Sequence, residues 1–241
     1  MTAALKAQGL VKAFKSGRSR VEVLKTVDFA AAHGEVALVM GPSGSGKSTL
    51  IACMSGLLRP DAGGVEALGQ DLWKLSERRI DRFRLDHCGF IFQGFNLFPA
   101  LNALQQVQII LKHQGVPRRE ARRRAEAALV EVGLEPRLGQ RPHELSGGEK
   151  QRVAIARCLA KSPKLIFADE PTSALDGENG QLVIRLLRRA AKEHGAAVVC
   201  VTHDSRLEPY ADRVTHLDDG RISEIGAETA FALPRREPVE A

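Results

Sequence analysis

No stretch of this 241-residue sequence approaches the ~18 consecutive apolar residues that cross a bilayer as a helix. Its first residues, MTAALKAQG, lack the apolar core of a secretory leader. Both absences predict a chain made and kept in the cytosol. Cysteine is scarce: Cys53, Cys88, Cys158 and Cys200 are scattered, with no C-x-x-C pair. That argues against a disulfide frame or a thiolate metal site and predicts four small core residues in a reducing compartment.

What is present is the composition of a soluble globular protein, 44% hydrophobic and 27% charged. The length suits one large domain, or a domain with a smaller lobe. The net charge of +6 admits nucleic acid, an anionic membrane surface or simply a basic solvated surface as its reason. Its densest cluster is 118-RREARRRAEAA-128, where Glu120 and Glu126 stand at helical ion-pair spacings from arginines. The segment reads as a charged outer helix face.

The chain is organised around 41-GPSGSGKST-49, which fits the phosphate-loop pattern G-x-x-x-x-G-K-[ST]. An apolar β-favouring run, 36–40, precedes it, and 49–58 reads as a buried helix. Glycines let such a loop wrap a phosphate with inward N–H groups, and the helix adds its positive N-terminal end. Lys47 is predicted to reach the β- and γ-phosphates and the Ser48 hydroxyl to bind Mg²⁺. The alternative, a glycine-serine turn that binds nothing, does not explain why strand, loop, lysine and helix occur together. The chain is predicted to bind a nucleoside triphosphate.

Residues 5–31 alternate in pieces around a break at 16-SGRS-19 and predict antiparallel strands beside the loop. Phe14 lies there, either as a core aromatic or as a platform for a flat base. Turn chemistry at Pro60, Asp61, Gly63 and Gly64 precedes a short strand. A charged helical stretch over 74–86 follows, then a β-like run ending on Gln93. The segment 94–107 is apolar for a loop, with Phe95, Leu97, Phe98 and Leu101. It is either lobe core or a docking surface. Helical patterns run to about 132, with breaks at 115–117 and 133–136.

In 144-ELSGGEKQRVAIARCLAKSP-163, Ser146 and Glu149 form an S-x-x-E capping box, so a helix starts there and stops before Pro163. This can be an ordinary cap. Ser146, Gly147 and Gly148 also leave the helix N-terminus unguarded, a second potential anion site. The run 164-KLIFADEP-171 predicts a buried parallel strand ending in Asp169 and Glu170, where α/β sheets place ligand chemistry. Two adjacent acids favour a nearby cation such as Mg²⁺. A helix over 178–193 and a third buried strand, 197–202, lead to His203 and Asp204. Asp219–Gly220 signals a hairpin, and the tail 234–241 reads as disordered.

The set resembles the ATP-binding subunit of an ABC transporter, over roughly residues 5–226 and with motifs in family order. The phosphate loop is 41–48, the Q-loop glutamine Gln93 and the signature 145-LSGGEKQ-151. The acidic strand is 165–170, the D-loop 173-SALD-176 and the switch histidine His203. The segments 20-RVEVLK-25, 40-MGPSGSGKSTL-50 and 89-GFIFQGFNLFPALNAL-104 are similar to the macrolide-exporter and lipoprotein-releasing type. Phe14 stands where the family usually has tyrosine, and Asn102 where threonine is common.

The resemblance implies an α/β P-loop NTPase fold: a RecA-like core with an antiparallel β subdomain, and a helical signature lobe near 94–160. Residues 1–241 would form a single ATP-binding domain. It implies ATP and Mg²⁺ as cofactors and a head-to-tail dimer in which Ser146, Gly147 and Gly148 serve the partner's nucleotide. Gly41, Pro42, Ser43, Gly44, Ser45, Gly46, Lys47, Ser48 and Thr49 would hold the nucleotide, with Phe14 stacked on adenine. Ser48, Gln93 and Asp169 would hold or orient Mg²⁺. Glu170 would act as general base or position the water, His203 would contact the γ-phosphate, and Asp176 would connect the two sites. A membrane permease would be the second partner, placing the chain on the cytoplasmic face of the plasma (inner) membrane.

Rival readings fail on what is missing. A regulatory GTPase needs N-K-x-D, which does not occur. An ABC-type ATPase acting on nucleic acid would suit the basic balance, but about 50 residues between Gln93 and the signature leave no room for a coiled-coil or zinc insertion. Translation factors carry two cassettes, and this chain has one set of motifs. Transport is the expected function, with no nucleic-acid partner.

Overall fold

A computed structural model describes residues 3–17, 19–173, 175 and 177–223. Two long strands open the chain, β1 (Ala3–Ser16) and β2 (Ser19–Ala32), paired antiparallel across the predicted turn. Next come β3 (Val36–Met40) and α1 (Lys47–Met54), then β4 (Ala62–Ala67) and β5 (Gln70–Asp71). They are followed by α2 (Glu77–His87), β6 (Cys88–Ile91), α3 (Ala103–His113) and α4 (Arg118–Glu131). The remainder is α5 (Gly147–Leu159), β7 (Leu165–Asp169), α6 (Gly177–His194), β8 (Ala197–Thr202), β9 (Arg213–Asp218) and β10 (Arg221–Ser223).

The strands make two sheets. One is antiparallel, in the order β2-β1-β4-β5; the other runs β10-β9-β3-β8-β7-β6, parallel except for the β9–β10 hairpin. The four strands β3, β8, β7 and β6 are mainly apolar because both of their faces are covered, whereas β9, beyond β3, carries Arg213, His216 and Asp218. Alternate residues go to opposite sides. Val36, Leu38, Ile166, Ala168, Val198 and Cys200 pack with the helices α3 to α6. Ala37, Val39, Leu165, Phe167, Val199 and Val201 pack with α1 and the antiparallel sheet. Each fully buried Leu, Ile or Phe contributes roughly 1.5–3 kcal/mol, so no polar substitution on either face of these strands is neutral.

Helices α3, α4 and α5 pack on one another, and α5 also touches β6 and α6. Ser146 and Glu149 form the predicted capping box of α5, and Asn102 makes one with Gln105 at α3. Asp219 and Gly220, at φ 42 and 72, make the hairpin turn. One expectation shifts. Gly63 and Gly64 belong to β4 rather than to a turn before it. A Cβ on Gly63 would lie 2.3 Å from the Gly9 carbonyl oxygen, so glycine lets two irregular strands meet there. The run 88–93 is strand only to Ile91, which leaves Phe92 and Gln93 in the following loop. The tail 234–241 lies outside the described residues.

Candidate functional site

The loop after β3 turns directly into α1, at the C-terminal edge of the parallel sheet. A Cβ on Gly41 would sit 2.0 Å from the Leu217 carbonyl oxygen, and Gly46 has φ 104, so both positions call for glycine. Lys47 is 7% exposed, and its ammonium donates to the carbonyls of Gly41 at 2.7 Å and Pro42 at 2.8 Å. The cation thus arches across the loop, with a third N–H for a phosphate oxygen. Ser45 Oγ is buried without a hydrogen-bond partner, a polar atom that a ligand oxygen can satisfy. Pro42, Ser43, Gly44 and Ser48 are exposed and Thr49 is half-buried in the first turn of α1. The loop therefore fits a phosphate chain.

Asp169 ends β7, and its Oδ1 accepts from Ser48 Oγ at 3.1 Å. Burial pushes this carboxyl above its ordinary range, opposed by the Ser48 hydrogen bond; Glu170 raises it further and Lys47 lowers it. The charged form is penalised where it stands, and a divalent cation would relieve that. Among the described residues no cluster of three His, Cys, Asp or Glu side chains forms a metal cage. Magnesium does not require one: it is commonly held by one or two protein oxygens plus phosphate and water. Ser48 and Asp169 fit that pattern.

Glu170 follows at φ 48, a left-handed backbone that costs a glutamate about 1 kcal/mol or more. Its N–H donates to Val201, and Ser173 donates to its carbonyl from both N–H and hydroxyl, which fixes the turn. The side chain then points along the sheet edge. Thr202 Oγ1 donates to Oε2 and His203 Nδ1 lies against Oε1, each at 2.9 Å. Glu170 is 11% exposed and His203 65%. A carboxylate held by a buried hydroxyl and an exposed imidazole can accept a proton or orient a water.

Gln93 is exposed two residues beyond β6, which pairs with β7, so it stands at the same sheet edge as Asp169. Phe14 is 42% exposed on β1, with the Lys12 ammonium 5.7 Å from its ring centre. It is no core aromatic. Ser146, Gly147 and Gly148 are brought to a different place, the exposed start of α5. There the Glu149 carboxyl is held below its usual range, first by the Ser146 N–H and then by Arg137. Asp176 lies outside the described residues.

Several supporting residues escaped the sequence reading. Thr202 is fully buried, and besides Glu170 it takes the N–H of Asp204. Its signal is a lone hydroxyl ending an apolar strand. Asp204 in turn receives Thr172 Oγ1 and Arg206, with the Arg206 guanidinium chiefly responsible for its lowered carboxyl. Arg157, on α5, donates to the carbonyls of Phe95 and Asn96, both in left-handed backbone. It ties the loop after Gln93 to the signature helix.

A lysine, a hydroxyl and an acidic pair meeting where β3 and β7 end is the arrangement of P-loop nucleoside triphosphatases, and the fold is theirs. Residues 24–173 match the family described as ABC transporter. The chain belongs to that family: it is an ATP-binding, ATP-hydrolysing subunit of a transporter.

Over 221 residues it is 42% identical to "Putative hemin import ATP-binding protein HrtA" of Staphylococcus haemolyticus, covering 91% of this chain and 99% of that protein. Over 222 residues it is 43% identical to "Lipoprotein-releasing system ATP-binding protein LolD" of Geobacter metallireducens, covering 92% and 99%. The ATP-binding cassette MJ0796, solved as a dimer in a post-hydrolysis state bound to ADP and Pi, superposes with a TM-score of 0.86. Identity is 38%, with 91% of this chain and 97% of that one covered. These similarities do not favour the alternative of an ATPase acting on nucleic acid.

Proposed function

We propose that the chain works as one half of a head-to-tail pair, peripheral to the cytoplasmic face of the plasma membrane and docked on a permease. The observation that carries this is a division of labour. Lys47, Ser48, Asp169, Glu170 and His203 surround the end of the parallel sheet, whereas the anion-ready N-terminus at Ser146, Gly147 and Gly148 belongs to α5, among the helices. One chain offers two half-sites, and a second copy, reversed, would complete both. The dimeric form of MJ0796 is consistent with this pairing.

In such a site the loop 41–46 and Thr49 wrap the phosphates, Lys47 neutralises them and Phe14 stacks on adenine. Ser48, Gln93 and Asp169 would hold Mg²⁺, which when bound would draw charge off the phosphates. Glu170 positions the attacking water or takes its proton, and His203 faces the γ-phosphate. Asp176 links the two sites. The single domain has its helical lobe near 94–160. Among the described residues no helix is long and apolar enough to cross a membrane, which fits a peripheral subunit.

The permease contact lies after Gln93. Phe98 is 54% exposed, yet its loop is pinned: the buried amide of Gln106 pairs with both Phe98 N–H and carbonyl and with the Leu101 carbonyl. It borders a cleft of about 240 Å³ that also involves Phe92, Ile109, Ile110 and Lys161. Leu97, by contrast, packs on the core. The chain is almost equally similar to proteins whose names carry different cargoes, hemin and lipoprotein. We infer that cargo is chosen by the permease, here one of the exporter or lipoprotein-extracting type.

The pairing is tested with Glu170→Gln, which retains ATP. Light scattering with Mg·ATP should show doubled mass, and adding Ser146→Arg should return it to a single chain. A Glu170→Gln protein that binds ATP and stays single overturns the shared site.

A further inference from the structure

The charge of this molecule is concentrated. Between Lys112 and Arg124 stand six basic residues and one acidic residue, Glu120, a net charge of +5 in a chain whose total is +6. The structure shows how the cluster is presented. Ala121, Ala125, Ala128 and Leu129 turn one side of α4 into the core. Arg118, Arg119, Arg122, Arg123 and Arg124 are all exposed, as is Lys112 at the end of α3. Glu120 is shared between Arg123 and Arg124, and Glu126 takes Arg122. Exposed pairs of this kind contribute little to stability and leave most of the positive potential standing. Arg118 and Arg119 occupy the first turn of α4, where the helix dipole disfavours cations. An outer face built only for solubility has no need of arginines at that end.

We propose that this ridge, the arginine face of α4 with Lys112, docks on an anionic lipid headgroup surface. Its position supports that partner. Ile109 and Ile110 border the cleft assigned above to the permease, and Lys112 follows them on the same helix. The turn between α3 and α4 is anchored to α2 by Gln114, whose amide donates to the Leu85 carbonyl at 3.0 Å. The ridge is thus a fixed neighbour of the cleft, on the side where a bound permease brings the bilayer near. This placement rests on the permease reading, whereas the charge density does not. Nucleic acid fits less well. Single-strand binders interleave aromatic stacking platforms with their cations, and residues 112–124 contain no Phe, Tyr or Trp. A headgroup layer asks only for a cationic surface.

Flotation of the full chain with phosphatidylcholine vesicles, with and without one third phosphatidylglycerol, tests the proposal. The wild-type chain should float only with phosphatidylglycerol, and lose binding in high salt. Each basic residue near such a surface is worth about fivefold in partitioning, so Arg118→Ser, Arg119→Ser, Arg122→Ser and Arg123→Ser together should weaken binding by about six-hundredfold. The double variant Arg118→Ser, Arg119→Ser touches no ion pair among the described residues and should lose about twentyfold with its fold intact. Basal ATPase activity should be unchanged in both. Phe98→Ser should float like wild type, which separates this surface from the permease cleft. Equal flotation on both vesicle types, or undiminished binding by the double variant, overturns the proposal. So does tighter binding to duplex DNA or RNA than to vesicles at matched phosphate and salt.

Discussion

Replacing Glu170 by glutamine separates chemistry from architecture at this site, because the surroundings allow each cost to be worked out. The left-handed backbone at φ 48 is equally strained for either residue, so that term cancels. Thr202 Oγ1 is fully buried, and orphaning its donor would cost about 1–3 kcal/mol. Glutamine keeps an oxygen there. Its amide nitrogen then faces His203 Nδ1, which accepts once the imidazole carries its proton on Nε2. Net destabilisation should therefore stay within about 1 kcal/mol, a melting shift of about 2–4 °C for a chain of this size.

The chemical loss is larger. An amide cannot take a proton from water, and removing a positioned general base costs about 10²–10⁴ in rate, equivalent to about 3–5 kcal/mol of barrier. The assay pairs steady-state Mg·ATP turnover with thermal unfolding of the same preparation. Turnover within about tenfold of wild type would refute the role of Glu170 in hydrolysis. A melting loss beyond about 8 °C would instead mark Glu170 as structural, and the reasoning about Thr202 as mistaken.

Four further outcomes are expected. Lys47→Ala should abolish turnover and weaken Mg·ATP binding strongly, measured by calorimetry; full hydrolysis by the folded variant would refute the loop assignment. Asp169 has its folded carboxyl raised by burial, so its contribution to stability is greatest at low pH and is lost as pH rises through the folded value. Asp169→Asn, which still accepts from Ser48, should therefore melt higher than wild type near neutrality without nucleotide, with the gap closing towards pH ~4. Burial pushes the thiols of Cys53 to about 11 and of Cys88 and Cys158 to about 12, with Cys200 raised further, so native protein at pH ~8 should resist alkylation until unfolded. Phe98→Ser with Leu101→Ser should keep folding and basal ATPase but lose co-purification with the permease; retained transport would move the docking surface elsewhere.

Strands β3, β6, β7 and β8 were legible because each is a short apolar run, and the helix at 147 because its capping box is local; β9, with Arg213, His216 and Asp218, carries no such run. The antiparallel sheet was legible only in outline. Its bulges depend on Gly9 meeting Gly63, residues far apart in sequence, and two glycines in a row read as a turn until the partner strand is known. At the site, the phosphate loop, Asp169 and Glu170 were readable from type and place. Their hydrogen bonds were not, since Ser48 and Asp169 are 121 residues apart and Glu170 and Thr202 are 32 apart. Local pattern carries the groups that do chemistry, and long-range pairing carries the groups that hold them.

The loop after Gln93 shows where such reading stops and packing decides. Phe95, Leu97, Phe98 and Leu101 are alike in hydropathy, so sequence favours a docking surface for the segment but does not say which of the four side chains belong to the core. Three-dimensional packing divides them: Leu97 joins the core, and Phe98 stands out in solvent. The deciding residue is Gln106, a polar side chain fully buried on α3 that sequence has no reason to single out. Its amide closes three hydrogen bonds on the backbone of 98–101 and so fixes a loop that is otherwise without regular structure. Arg157 fixes the preceding residues from α5. A large apolar side chain held in water by a rigid backbone is costly unless something covers it, since exposure forfeits roughly 2 kcal/mol of burial. Breaking Gln106 while leaving Phe98 in place therefore tests rigidity itself. Gln106→Leu should keep the apolar surface, loosen the loop and weaken permease co-purification, whereas unchanged co-purification would show that Phe98 needs no fixed frame.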